Sequence, residues 1–61
     1  MVACAYIDGV FHYIVVVGRG VYELRKDKEG DEDGWDVLHK GPLMMCEAML
    51  DNLCDNAKEW E

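Results

Sequence analysis

Residues 10–17, reading VFHYIVVV, constrain the fold of this chain more than any other stretch. The run is β-branched and aromatic, the composition that fits a pleated, extended strand. Alternate residues of a strand point to opposite faces. Here the two sets are Val10, His12, Ile14, Val16 and Phe11, Tyr13, Val15, Val17. Both sets are apolar, so the strand is central and both of its faces call for cover. One helix covers one face. Loops or a second copy of the chain must cover the other, which makes a homodimer an expectation.

The flanking sequence builds a sheet around this strand. Val2 to Ile7 is short and apolar and is joined to the central run by Asp8-Gly9, a pair suited to a tight hairpin turn with positive φ at both positions. Gly18-Arg19-Gly20 marks the next turn, and Val21 to Lys26 alternates from apolar to charged as a half-exposed strand does. The Gly-x-Gly here is no dinucleotide fingerprint, because a strand follows it and no third glycine does. After the polar, glycine-punctuated loop Lys28 to Gly34, Trp35 to Lys40 forms a last strand, with Trp35, Val37 and His39 expected on one side.

Gly41-Pro42 ends the sheet, and proline suits a first helical position. In Pro42 to Glu61, residues Cys46, Met49, Leu50, Leu53, Ala57 and Trp60 recur at three- and four-residue steps, the spacing of a helix with one buried face. The expected fold is α+β: an antiparallel sheet of three to four strands (β-β-β-β-α or β-β-β-α) with one C-terminal helix on one face. Leu43, Cys46, Leu50, Leu53 and Trp60 should pack on one set of the central strand, together with Val37 or Leu38.

At 61 residues the chain makes one small domain, residues 1–61, with a marginal core. Its net charge is -7, which argues against direct binding to nucleic acid or to an anionic membrane and favours a basic partner. The charge is uneven: residues 1–22 are neutral, residues 23–36 carry -4 and residues 37–61 carry -3. Cys4, Cys46 and Cys54 form no CxxC pair and no even-numbered disulfide framework. They read as small apolar residues in a reducing compartment. The start MVACAYID lacks the basic segment and long apolar run of a signal peptide, and Tyr13 to Val17 is too short to span a bilayer. A cytoplasmic location is expected, the host cytoplasm if the chain is phage-encoded.

Chemistry has little to work with. No serine or threonine occurs, and His12 sits mid-strand. A domain this small encloses no substrate pocket of ordinary size. No catalytic residue, cofactor or enzymatic activity is expected. Cys4, His12, His39 and Cys46 lack the short ligand spacing of a structural zinc site. Glu29, Asp31, Asp33 and Gly34 overlay the start of a calcium-binding EF-hand loop, but its twelfth position, a bidentate glutamate, is Lys40 here. No metal site is expected.

One pattern exceeds what folding requires. Glu47, Asp51, Asp55 and Glu59 recur at strict four-residue steps, stacking four carboxylates along one side of the helix. Like charges at that spacing each cost a few tenths of a kcal/mol, and acids near a helix C-terminus oppose its dipole. Such a stripe serves solubility in any acidic protein. It also rises about 6 Å per step, close to the phosphate spacing along a nucleic-acid strand. With Asp31, Glu32 and Asp33 as a second patch, it resembles a phosphate backbone. A lysine- and arginine-lined nucleic-acid site would recognise it.

In size, acidity and sheet-plus-helix build, the whole chain resembles small acidic inhibitor proteins of phages and mobile elements, including anti-CRISPR proteins that act as DNA mimics. The resemblance implies a non-enzymatic inhibitor that occupies the basic nucleic-acid-binding site of a host defence complex such as a CRISPR effector. It transfers no individual residue. The alternative is a homodimeric protein-protein interaction module that uses the second apolar face of the sheet.

Overall fold

A computed structural model describes residues 1–30 and 33–58, with side chains along the helix described to residue 55. Four strands and one helix follow in order: β1 (Ala3–Ile7), β2 (Val10–Gly18), β3 (Val21–Asp27), β4 (Trp35–Gly41) and α1 (Leu43–Lys58). The strands form one antiparallel sheet in the order β1-β2-β3-β4, so every sheet neighbour is also the next strand in the chain. The fold is α+β, as the sequence predicts, and the count settles at four strands.

Local chemistry fixes the register. Asp8 and Gly9 have φ of 53° and 80°, the geometry that a two-residue turn imposes on both of its residues. The turn pairs Ile7 with Val10, and from there Tyr6 with Phe11 and Cys4 with Tyr13. The β2–β3 hairpin turns through Gly20 at φ 68°, a left-handed position that glycine adopts without steric cost. Two irregularities shift the register. One lies between Val16 and Gly18 in β2. The other lies opposite Leu24 and Arg25, where β4 carries one extra residue.

The bulge in β4 corrects one expectation. Trp35 pairs with Asp27 and Val37 with Arg25, but His39 pairs with Leu24. Directly opposed residues share a face, and Leu24 is fully buried beneath the helix. His39 therefore lies on the helix side, while Trp35 and Val37 lie on the open side. An extra residue in one strand reverses the alternation beyond it.

The carbonyl of Pro42 accepts hydrogen bonds from the backbone N–H groups of Met45 and Cys46 at 3.1 and 3.2 Å. Pro42 is thus the N-cap, one position ahead of the first helical residue, Leu43. The helix starts at the end of the sheet opposite the 28–34 loop, runs back and reaches all four strands.

Ile7, Ile14, Leu24, Cys46 and Leu50 form the buried core, with Ala3, Ala5, Tyr22, Leu38, Leu43, Met49, Leu53 and Cys54 packed around it. Leu38, not Val37, supplies the β4 contact. Of the predicted helix residues, Leu43, Cys46, Leu50 and Leu53 all join the core; Trp60 falls outside the described residues. The Sγ of Cys46 donates to the carbonyl of Tyr22 at 3.6 Å, tying helix to β3. His12 is also buried, its Nδ1 donating to the carbonyl of Val10 at 2.9 Å. That local bond satisfies the polar atom that burial would otherwise leave unpaired.

Candidate functional site

The molecule presents two contrasting surfaces. The first is the outer side of α1. Glu47, Asp51 and Asp55 are exposed there, one helical turn apart, because the Cys46-Leu50-Leu53 side of the same helix is held against the sheet. None of the three carboxylates forms an ion pair among the described residues. Asp33 is exposed in the β3–β4 connection. Glu59, Asp31 and Glu32 lie outside the described residues. The helix thus carries the described part of the stripe on solvent. The loop and the first turn of the helix stand at opposite ends of β4.

The second surface is the side of the sheet away from the helix. Tyr6 and Phe11, paired across β1 and β2, hold their ring centroids 5.0 Å apart at a tilt of 47°. Phe11 and Tyr13, two residues apart on one face of β2, stack at 5.5 Å and 23°. Tyr13 pairs with Arg25 across β2 and β3. The guanidinium of Arg25 then lies over the ring of Trp35 in β4, 4.8 Å from its centroid. A continuous ladder therefore crosses all four strands.

Arg25 is held in place. Its Nε donates to Glu23 Oε1 at 2.9 Å, within a pair whose side chains are only 20% and 15% exposed. The hydrogen bond to Glu23 is the main cause that raises the Arg25 pKa above the ordinary guanidinium value; burial opposes it and Tyr13 adds to it. A flat cation, stacked on one ring and beside another, is rigid without a long hydrophobic side chain to pack against.

Exposed apolar groups lie at the ends of the ladder and beside it. Tyr6, Trp35 and Val37 are 76%, 48% and 50% exposed, and Cys4, on the same face opposite Tyr13, is exposed as well. The charged residues on this face are Glu23, Arg25, Asp27 and Lys40, placed there by register. Two acids meet two bases, so the face as a whole is neutral. The acidity of the protein is carried elsewhere.

The ladder was legible only in part from the sequence. The set Phe11, Tyr13, Val15, Val17 marks an apolar face, but Tyr6, Arg25 and Trp35 join it only once the register is known. The Asp8-Gly9 turn was the available signal: a two-residue turn forces Tyr6 opposite Phe11.

No helix among the described residues is long and apolar enough to cross a membrane. Among the same residues, no cluster of three or more histidine, cysteine, aspartate or glutamate side chains is arranged to hold a metal ion. The loop that overlays an EF-hand is flanked by β3 and β4 where helices would stand. No protein family, no curated protein and no solved structure matches the chain.

Proposed function

We infer that this protein is a non-enzymatic binding protein whose acidic helix docks on a basic protein surface, occupying the site where a partner binds nucleic acid. The observation that carries the reading is the disposition of Glu47, Asp51 and Asp55. They stand on solvent at one-turn intervals with no cation paired to them among the described residues. Unpaired carboxylates on a rigid element keep their full attraction for an incoming basic groove. A nucleic-acid-binding component of a host defence complex, such as a CRISPR effector, has the surface chemistry to accept them. Long-range attraction speeds the encounter, and added salt weakens it.

The test is a tagged pull-down from nuclease-treated host lysate, read by mass spectrometry. Wild type is compared with a folded variant carrying Glu47→Gln, Asp51→Asn, Asp55→Asn and Glu59→Gln. The expected result is a nucleic-acid-binding complex captured by wild type alone, and released by added duplex DNA or by salt. Equal capture by both proteins would reduce the stripe to a solubility feature and end this reading.

A further inference from the structure

We propose that the open face of the sheet is a self-association surface, covered by the same face of a second copy of this chain. This goes beyond the helix-docking reading and does not depend on it. The central strand is apolar on both of its sides. The helix covers His12 and Ile14. Phe11, Tyr13 and Val15, on the other side, are only partly buried.

Size favours an occupant. Four strands at about 4.8 Å spacing, with lengths of five to nine residues, make a face of roughly 400–500 Å² in projection. Side-chain relief raises its accessible area toward the 800 Å² or so per partner of a standard protein interface. Contiguous apolar patches on free-standing monomers stay at a few hundred Å². The molecule is also thin, with a smallest extent of 14 Å, and among the described residues its fully and nearly buried apolar core numbers five. A domain of this size gains from further buried area.

Charge selects which occupant. Nucleic acid would need an excess of cations on this face, yet Arg25 is committed to Glu23, Lys40 is balanced by Asp27, and the face is neutral in a chain of net charge -7. A strongly basic or acidic partner finds no complement there either. A second copy brings the same neutral aromatic surface. Sheet-on-sheet packing with interdigitated side chains is the ordinary way for two such faces to meet, and a two-fold axis makes the contact self-complementary. Packing in this way leaves the two acidic helices on opposite outer surfaces, where their mutual repulsion is least.

Sedimentation velocity of the full chain across a concentration series tests the proposal, alongside two variants on opposite edges of the face, Tyr6→Lys and Val37→Lys. Both side chains are at least half exposed, so circular dichroism should report native folds. Wild type should sediment at twice its 7.0 kDa mass, and it should still do so at about 1 M salt, where exposed charge pairs are screened. Each variant should weaken the dimer by about tenfold or more, the effect of losing an interface anchor. A second readout uses wild type alone. Alkylation of Cys4, mapped by mass spectrometry, should slow as concentration rises through the dimer range. A monomer at every concentration would overturn the proposal. So would a dimer that both variants leave intact, or one in which Cys4 reacts as fast as in the monomer, because either places the interface elsewhere.

Discussion

The guanidinium of Arg25 lies 4.8 Å from the centre of the Trp35 ring, joining the last two strands of the sheet on the side that the helix leaves open. The contact is geometric as well as electrostatic, since a planar cation can stack on a ring while donating in its own plane to Glu23. Lysine carries the charge but cannot do both. Arg25→Lys should therefore cost about 0.5–1 kcal/mol of stability, measured by urea denaturation.

The same pair makes a statement about pH. Folding raises the pKa of Arg25, chiefly through the Glu23 hydrogen bond. A cation whose pKa rises on folding contributes stability that is complete below its unfolded pKa and lost as pH climbs through the folded value. For arginine both values lie far into the alkaline range. The stability gap between wild type and Arg25→Ala should be the same at neutral pH and at about pH 9. A gap that closed over that interval would show that something other than the guanidinium was titrating.

The two sides of the sheet should answer differently to truncation. Leu24 is fully buried, and Leu24→Ala should cost about 2–5 kcal/mol through lost burial and the cavity left behind. A chain of this length has roughly 3–9 kcal/mol in total, so the variant should be largely unfolded or melt far below wild type. Val37 is 50% exposed; Val37→Ala should stay within about 0.5 kcal/mol at concentrations low enough to hold the chain monomeric. Thermal melts of the two variants measure the contrast.

The Asp8-Gly9 turn permits a test of backbone strain free of sterics. A Cβ placed on Gly9 would meet nothing within 4 Å, so the penalty of Gly9→Ala is conformational, about 1–2 kcal/mol for an L-residue held at positive φ. A synthetic chain with D-alanine at position 9 should reverse the sign, because the mirror-image residue prefers that φ and loses less entropy on folding. Chemical denaturation of the two chains decides it.

The acidic stripe opposes folding. Glu47 and Asp51, and Asp51 and Asp55, are like charges one turn apart on an exposed face. Neutralising all three with Glu47→Gln, Asp51→Asn and Asp55→Asn should raise stability by a few tenths of a kcal/mol for each pair removed. The gain should shrink as salt screens the repulsion. Melting the variant and wild type at low and high salt gives the difference directly.

Much of this architecture can be read from the chain. Asp8-Gly9 sets a turn type, the turn sets the β1–β2 register, and the three- and four-residue spacing of Cys46, Leu50 and Leu53 orients the helix. These are local rules with strong chemical causes. His39 shows where such rules stop. Its side of the sheet depends on one extra residue in β4, and no residue type at 38 or 39 demands a bulge. Pro42 shows the same limit on a smaller scale: its fixed φ suits both the N-cap and the next position, and backbone hydrogen bonds decide between them. The ladder from Tyr6 to Trp35 needed all three registers at once, so it was visible only in the folded sheet. For the acidic surface, the four-residue rhythm marks its position, but rhythm alone does not show whether it meets water or another protein.

The consecutive strand order carries a consequence for how the protein is made. Every hairpin closes over a short stretch of chain, so the sheet can assemble while synthesis is still under way, with little loop entropy lost at each step. The helix leaves the ribosome after all four strands. Until it arrives, the apolar residues on both sides of the nascent sheet are uncovered. Docking of Cys46 and Leu50 on Ile14 and Leu24 is the event that covers one of them. A chain stalled or truncated before residue 43 should be the sticky, chaperone-dependent species, while a chain that includes the helix has one side of its sheet covered.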